Sequence, residues 1–310
     1  MTRTIFISAA LSLAAALPAM PAQAAGVNHT FVSAAGSDSN NCASVTTPCR
    51  HFANAYAVTA PNGEIFVLDP ANYGAFTITG PVSIEGHGWA SFAAVSGQAA
   101  ITINANSGDK INIIGVVLDG VHIANTTGIQ FNSGGSLNVK DSVIRNFTGD
   151  GISFGPNSSN PSQLIVSNSS VSDNGGHGVG MATSGTGTMI GVLDHVQMGN
   201  NATGLFVNTS TQTINVTVTD SVSANNSADG IEVESSTQAI VVVRNSTIVN
   251  NGGTGLVATF SGATIRVTRS TITGNNTGWS GTGAVYSYGD NNIDGNVSVN
   301  TEPLGPLPYK

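Results

Sequence analysis

Along most of this 310-residue chain, apolar residues alternate with polar ones in short runs, and the runs end at Gly, Asn, Asp or Ser. Period-two alternation sends successive side chains to opposite faces of a strand, so each run predicts a short strand with one face turned inward. Ile152/Phe154, Val179/Met181, Leu205/Val207, Ile231/Val233 and Leu256/Ala258 are clear cases, each directly following a glycine. A second alternating segment accompanies most of them, as in Leu137/Val139, Leu164/Val166, Ile214/Val216/Val218, Ile240/Val242 and Ile265/Val267. Gly, Asn, Asp and Ser between the segments supply the turns.

The runs recur with a period. The phrases "DSVIRNFTGDGISF" from Asp141, "NSSVSDNGGHGVGM" from Asn168, "DHVQMGNNATGLFV" from Asp194, "DSVSANNSADGIEV" from Asp220, "NSTIVNNGGTGLVA" from Asn245 and "RSTITGNNTGWSG" from Arg269 begin 27, 26, 26, 25 and 24 residues apart. Gly151, Gly178, Gly204, Gly230 and Gly255 each stand ten residues after the opening Asp or Asn. No phrase contains a helix-period stretch of the length a helical or leucine-rich repeat requires. A unit of this size cannot bury both faces alone, so the units must stack, and equivalent positions then lie above one another at the ~4.8 Å strand spacing. The expected fold is an all-β, single-stranded right-handed parallel β-helix, one domain over residues 25–300, with the hand set by the bias of parallel crossovers. Asn174, Asn200, Asn226, Asn251 and Asn275 would form one column, which predicts an asparagine ladder. Glycosylation acceptors such as Asn201-Ala-Thr are the competing explanation of so many asparagines. Less regular coils precede these phrases, in "GEIFVL", "AFTITGPVSIEGHG", "AAITINA" and "KINIIGVVLDGVHI". Before them "TPCRHFANAYAVTA" predicts one helix, with Pro48 near its start and Phe52, Ala55 and Tyr56 along one side, capping the open end within residues 27–62. The Pro-rich segment 301–310 reads as a tail.

Residues 1–24 do not fit the pattern. Arg3, the apolar run Ile5 to Ala16 and the site Ala22-Gln23-Ala24 match a cleavable signal peptide, which predicts export to the periplasm or beyond the cell. No other apolar run approaches membrane length, so no membrane span is expected. Nine Lys and Arg against 17 Asp and Glu give a net charge of -8. Phosphate binding needs the opposite balance, which argues against a nucleic-acid partner. Only 8% of residues are charged while glycine numbers 38, a composition that predicts a folded chain with a neutral polar surface rather than a disordered one; a monomer is expected. In an exported chain Cys42 and Cys49 predict a short-range disulfide. A metal site adding His51 would still lack a fourth ligand.

The opening "FVSAAGSDSNNCASVTTPCRHFANA" and the coils of type D-S-x-I/V-x-x-N-x-x-x-G-I/L-x-V resemble bacterial secreted right-handed parallel β-helix proteins of the pectate-lyase-like superfamily. The resemblance spans nearly all of the chain beyond residue 24. It implies a scaffold on which polysaccharides are commonly cleaved or bound, by lyases, hydrolases, epimerases or esterases, with some members carrying no demonstrated activity. The polygalacturonase-like hydrolases of that group use Asn-Thr-Asp, Asp-Asp, Gly-His-Gly and Arg-Ile-Lys motifs. Here Gly86-His87-Gly88 and Gly176-His177-Gly178 match one of them, while Asn-Thr-Asp and Asp-Asp are absent. The pectate-lyase branch implies a carboxylate cluster for calcium beside an Arg or Lys base, and no such combination is evident.

Stacking lets columns be searched for chemistry. Asp150 and His177, each one position before the phrase glycine, would be axial neighbours at roughly 5 Å, a carboxylate placed to orient and charge an imidazole for acid/base work. Arg145 and Asp173 lie earlier in the same coils, Arg145 as a candidate substrate contact. In "DGIEVES" Glu232 and Glu234 would point outward about 7 Å apart, inside the range of inverting glycosidases, with Phe206 one coil earlier as a sugar platform. In the opening column Asp194 above Asp220 could hold Ca2+, although Asx turns explain the same residues without a metal. Two function classes follow: an exported protein that binds or modifies a polysaccharide or cell-surface glycan through these groups, or a stiff structural or adhesive rod without a site. Whether the chain is an enzyme is left open at this point.

Overall fold

The computed structural model describes residues 26–93, 95–183, 185–303 and 305, so the expected signal peptide and most of the expected tail lie outside the described residues. The chain winds as a parallel β-solenoid. Its strands form one nine-stranded and one seventeen-stranded sheet, and the pairings within them are parallel. The nine-stranded sheet takes a single strand from each coil, including Ile152–Phe154, His177–Thr183, Thr203–Thr209, Ile231–Ser235 and Thr254–Thr259. The other sheet takes the remaining two strands of each coil, which meet at a sharp bend.

That bend is a column of left-handed residues, one per coil: Gly115, Asp141, Asn168, His195, Asp220, Asn245 and Arg269, with φ between 47° and 64°. Asp and Asn tolerate this region because their short side chains bond locally, which is why they open most phrases. The slot shows where the sequence frame slips. Asp194 pairs with Thr219, and His195 is the neighbour of Asp220, so Asp194 does not stack on Asp220 as expected.

The same coil corrects the ladder. The buried column runs Asn174, Asn201, Asn226, Asn251, Asn275 and Asn296, and Asn201 rather than Asn200 belongs to it. Asn200 occupies a second left-handed column instead. The coil from His195 is one residue shorter between its ladder asparagine and Gly204 than its neighbours are, so counting back from the glycine misplaces everything upstream. Within the ladder Asn226, Asn251 and Asn275 donate to the next Oδ1 at 2.8, 2.8 and 3.0 Å. Each Oδ1 also accepts a backbone N–H from the preceding coil, as Asn251 does from Asn226 at 3.0 Å. Serines make a parallel ladder not foreseen from the sequence, in which the backbone N–H groups of Ser142, Ser221 and Ser246 donate to the hydroxyls of Ser169, Ser246 and Ser270. The buried asparagines and serines of these columns are thus satisfied coil by coil.

Between the sheets the inward residues stack in register: Ile129, Ile152, Val179, Leu205, Ile231 and Leu256 form one file, all buried. Each such side chain contributes about 1.5–3 kcal/mol by leaving water, which is how a strand of three residues holds its place. At the N-terminal end the helix is shorter than the sequence suggests, Phe52–Val58, and Pro48 lies outside it. Its Phe52 stacks on Phe92 at 4.7 Å and on Phe76 at 5.6 Å, closing the first coils. Cys42 and Cys49 form the expected disulfide, with Cα atoms 5.0 Å apart. His51 instead places Nδ1 2.6 Å from Asp38 Oδ2. Both sulfurs are used, so the metal alternative is removed.

Candidate functional site

The outward face of the nine-stranded sheet reads, coil by coil along one column, Thr102, Gln130, Ser153, Gly180, Phe206, Glu232, Val257 and Ser280. Small or uncharged residues fill the two ends. In the middle stand a glycine, an aromatic ring and a carboxylate.

Asp150 and His177 flank this column at the strand edge. One oxygen of Asp150, Oδ1, accepts the backbone N–H of His177 at 2.8 Å. The same oxygen lies 3.0 Å from His177 Nδ1. Nδ1 is sealed from solvent and makes no directed hydrogen bond, which leaves Nε2 as the nitrogen for outside chemistry. The imidazole then lies flat against Phe206, with ring centroids 4.3 Å apart and planes at 8°. Gly180 makes the room: a β-carbon there would stand 3.2 Å from Asp150 Oδ2 and 3.6 Å from His177 Nδ1. Gly180 was not singled out from the sequence, although a glycine in an outward column whose neighbours carry side chains was a readable signal.

Phe206 is therefore not a bare sugar platform, because one of its faces seats the imidazole. Its axial neighbour is Glu232, half-buried between the inward Ile231 and Val233. Burial pushes the Glu232 carboxyl above the ordinary range; the charges of Asp229 and Glu234 add to this, and His177 opposes it. Glu234 points outward as expected and is engaged by Asn208, whose side-chain amide donates to Oε2 at 2.7 Å. The two constellations read separately in the sequence, Asp150 with His177 and Phe206 with the glutamates, are thus one strip in which His177 on Phe206 is the join.

Other expected residues are not brought to it. Arg145 lies on the seventeen-stranded sheet with Nε 3.0 Å from Asp119. Asp173 accepts from Asn200 and Ser172. His87 is exposed in a bulge, Gly86 to Trp89, that opposes the single residue Gly115. Asp194, His195 and Asp220 gather one donor atom each within 4.8 Å, on the seventeen-stranded sheet. Asp194 bonds His195, and Asp220 is bonded by Asn245. Half-buried Asp194 and exposed Asp220 and His195 offer two carboxylates and one imidazole, where calcium takes six to eight oxygens. A concavity of about 590 Å³ opens at the N-terminal corner between Tyr56, Asn62, Gly80 and Asn106 and includes none of the strip.

With this geometry in hand, comparison with known proteins places the scaffold. A family model described as "Right handed beta helix region" matches residues 127–298, more than half of the chain. Among solved structures, the pectate lyase Pel9A is 15% identical with a TM-score of 0.58, covering 89% of this chain and 80% of its own. The A-module of the Azotobacter vinelandii mannuronan C-5 epimerase AlgE6 is 13% identical with a TM-score of 0.35, covering 77% and 87%. No curated protein matches the chain. Among the described residues no helix is long and apolar enough to cross a membrane.

Proposed function

The chain belongs to the right-handed β-helix family, and from that scaffold we propose that it is an exported protein that binds and cleaves polysaccharide along the outward face of the nine-stranded sheet. One observation carries this: the His177–Phe206 stack joins an imidazole flanked by Asp150 to a half-buried carboxyl group, Glu232, on a single strip. A carboxyl group whose burial favours its protonated form, beside an imidazole, is a pairing of acid and base that glycosidic hydrolysis can use. In this role Glu232 gives its proton to the glycosidic oxygen as the C–O bond breaks. His177 Nε2 takes a proton from the water whose oxygen bonds to the anomeric carbon. Asp150 stabilises the imidazolium that results, Phe206 positions the ring, and Gly180 leaves the floor open. No step runs through a metal. The likeness to a named pectate lyase supports the scaffold alone. Export through residues 1–24 belongs to the same proposal and is supported by the Cys42–Cys49 bridge, a bond of oxidising compartments.

Incubation of the purified protein with a polysaccharide panel, with and without calcium, tests the activity. New reducing ends should appear and be lost in Glu232→Gln and in His177→Ala, each by about 10²-fold or more. Products independent of both residues would sink this assignment. The asparagine and serine ladders favour a second role, a stiff adhesive rod, which predicts no product and no effect of either substitution.

A further inference from the structure

The strands of the nine-stranded sheet contain Glu232, Glu234 and His177 but no Lys or Arg, while Asp150 and Asp229 stand at its edge. The Lys and Arg of the described residues lie elsewhere, Arg50 in the segment before the helix and the others on the seventeen-stranded sheet and its turns, as Arg145, Arg244 and Arg266 do. Several are also committed there: Arg145 to Asp119 at 3.0 Å, Lys140 to Asp141 at 3.8 Å and Arg269 to Asp290 at 4.0 Å. The segregation is complete for the strands that present the candidate site.

Charge segregation of this kind selects among glycans. A polyuronate brings a carboxylate on every residue, and recognition of such an anion relies on Arg, Lys or a bound cation. Elimination or epimerisation at a uronate demands more, because removing the proton beside the carboxylate builds negative charge on its oxygens that nearby cations must stabilise. The strip offers no such group: its titratable residues are Asp150, His177, Glu232 and Glu234, and its strands hold no Lys or Arg. A metal bridge is not prepared either: among the described residues, the three donors that gather within 4.8 Å are Asp194, His195 and Asp220, on the other sheet.

We infer that the substrate is a neutral polysaccharide, free of uronate carboxylates, and that the nine-stranded sheet, whose strands hold no Lys or Arg, excludes polyuronates. This rests on the site proposed above and names its substrate class. Hydrolysis is the reaction that accompanies it, since a neutral sugar has no carboxylate-activated C–H to eliminate across, whereas protonation of the glycosidic oxygen and attack by water need only the acid and base present.

Affinity electrophoresis of the full chain separates the outcomes. Gels would contain galactan, glucomannan or a β-glucan in one set and polygalacturonate or alginate in another, each with and without calcium. The expected result is retardation by at least one neutral polymer, with affinity at least about tenfold (~1.4 kcal/mol) above either polyuronate, lost in Phe206→Ala. Retardation by polygalacturonate or alginate at equal or greater strength would overturn the substrate class and leave a glycan-binding function standing. Silence in every gel would overturn both.

Discussion

Asp150 and Asp229 occupy equivalent places three coils apart. Each carboxylate reaches to the next coil and accepts a backbone N–H, from His177 at 2.8 Å and from Thr254 at 2.5 Å. Each lies against a glycine one position earlier, Gly176 or Gly253, where a β-carbon would collide with it. As scaffold the two are the same device, an aspartate clamping one coil to the next. The difference is the clamped residue. Threonine at 254 ends the matter, whereas histidine at 177 brings a ring onto Phe206, the axial neighbour of Glu232. A site here required few new parts: one imidazole on an existing clamp, one glycine beneath it and one aromatic to hold it.

The widest separation of the two clamps should come from replacing each aspartate by asparagine. The amide oxygen can still accept the backbone N–H, so both variants should melt close to the parent. Loss of the charge beside His177 in Asp150→Asn should lower kcat by about 10²-fold. Asp229→Asn should alter kcat only a few-fold, through the charge it places near Glu232. Equal activity loss in both would mean that Asp150 is a structural clamp alone. Alanine in place of either aspartate should instead cost stability, about 1.5–3 kcal/mol for a charged hydrogen bond, and by similar amounts at both sites.

A smaller effect is expected from the ring beneath the imidazole. Phe206→Leu keeps the side chain apolar and removes the stack, worth about 0.5–1.5 kcal/mol. If Phe206 positions His177, the loss appears as roughly a tenfold fall in kcat and in the rate limb governed by the imidazole, and Tyr at 206 restores it. A double-mutant cycle with His177→Ala should then show coupling. A change confined to KM, with no coupling, would return Phe206 to the role of a simple sugar contact.

These residues also show how far the sequence carries. The coil was legible because its causes are local: Gly before each inward pair, Asx in the left-handed bend, alternation in every strand. Each of these recurs, and recurrence is visible without coordinates. The ladder was placed in the wrong file for one coil because the shortened turn before Gly204 lies downstream of Asn201, and counting from the glycine passes the error back to Asn200. Asp194 was misplaced for the same reason. The join between Asp150–His177 and Phe206–Glu232 was not legible at all. It depends on an imidazole lying along the sheet across the gap left by Gly180, and side-chain direction is set by space rather than by spacing. Arg145 failed for a related cause, since a nearby sequence position falls on a different sheet once the chain turns.

The smallest predicted effect concerns stability and tests the environment of Glu232 independently of any substrate. A carboxyl whose folded-state value is raised binds more protons in the folded chain than in the unfolded one, so stability falls as pH rises from about 4.5, the ordinary glutamate value, through the raised value. Glu232→Gln removes that dependence. The variant should melt slightly above the parent at pH 7, and the gap should close as pH falls below about 4.5, where both side chains are neutral. The cause is burial first, with Asp229 and Glu234 adding to it, so Asp229→Asn should narrow the gap without abolishing it. A parent that melts above Glu232→Gln at pH 7 would mean that the carboxylate is stabilised as an anion. Glu232 could not then be the proton donor, and the strip would contain two bases and no acid.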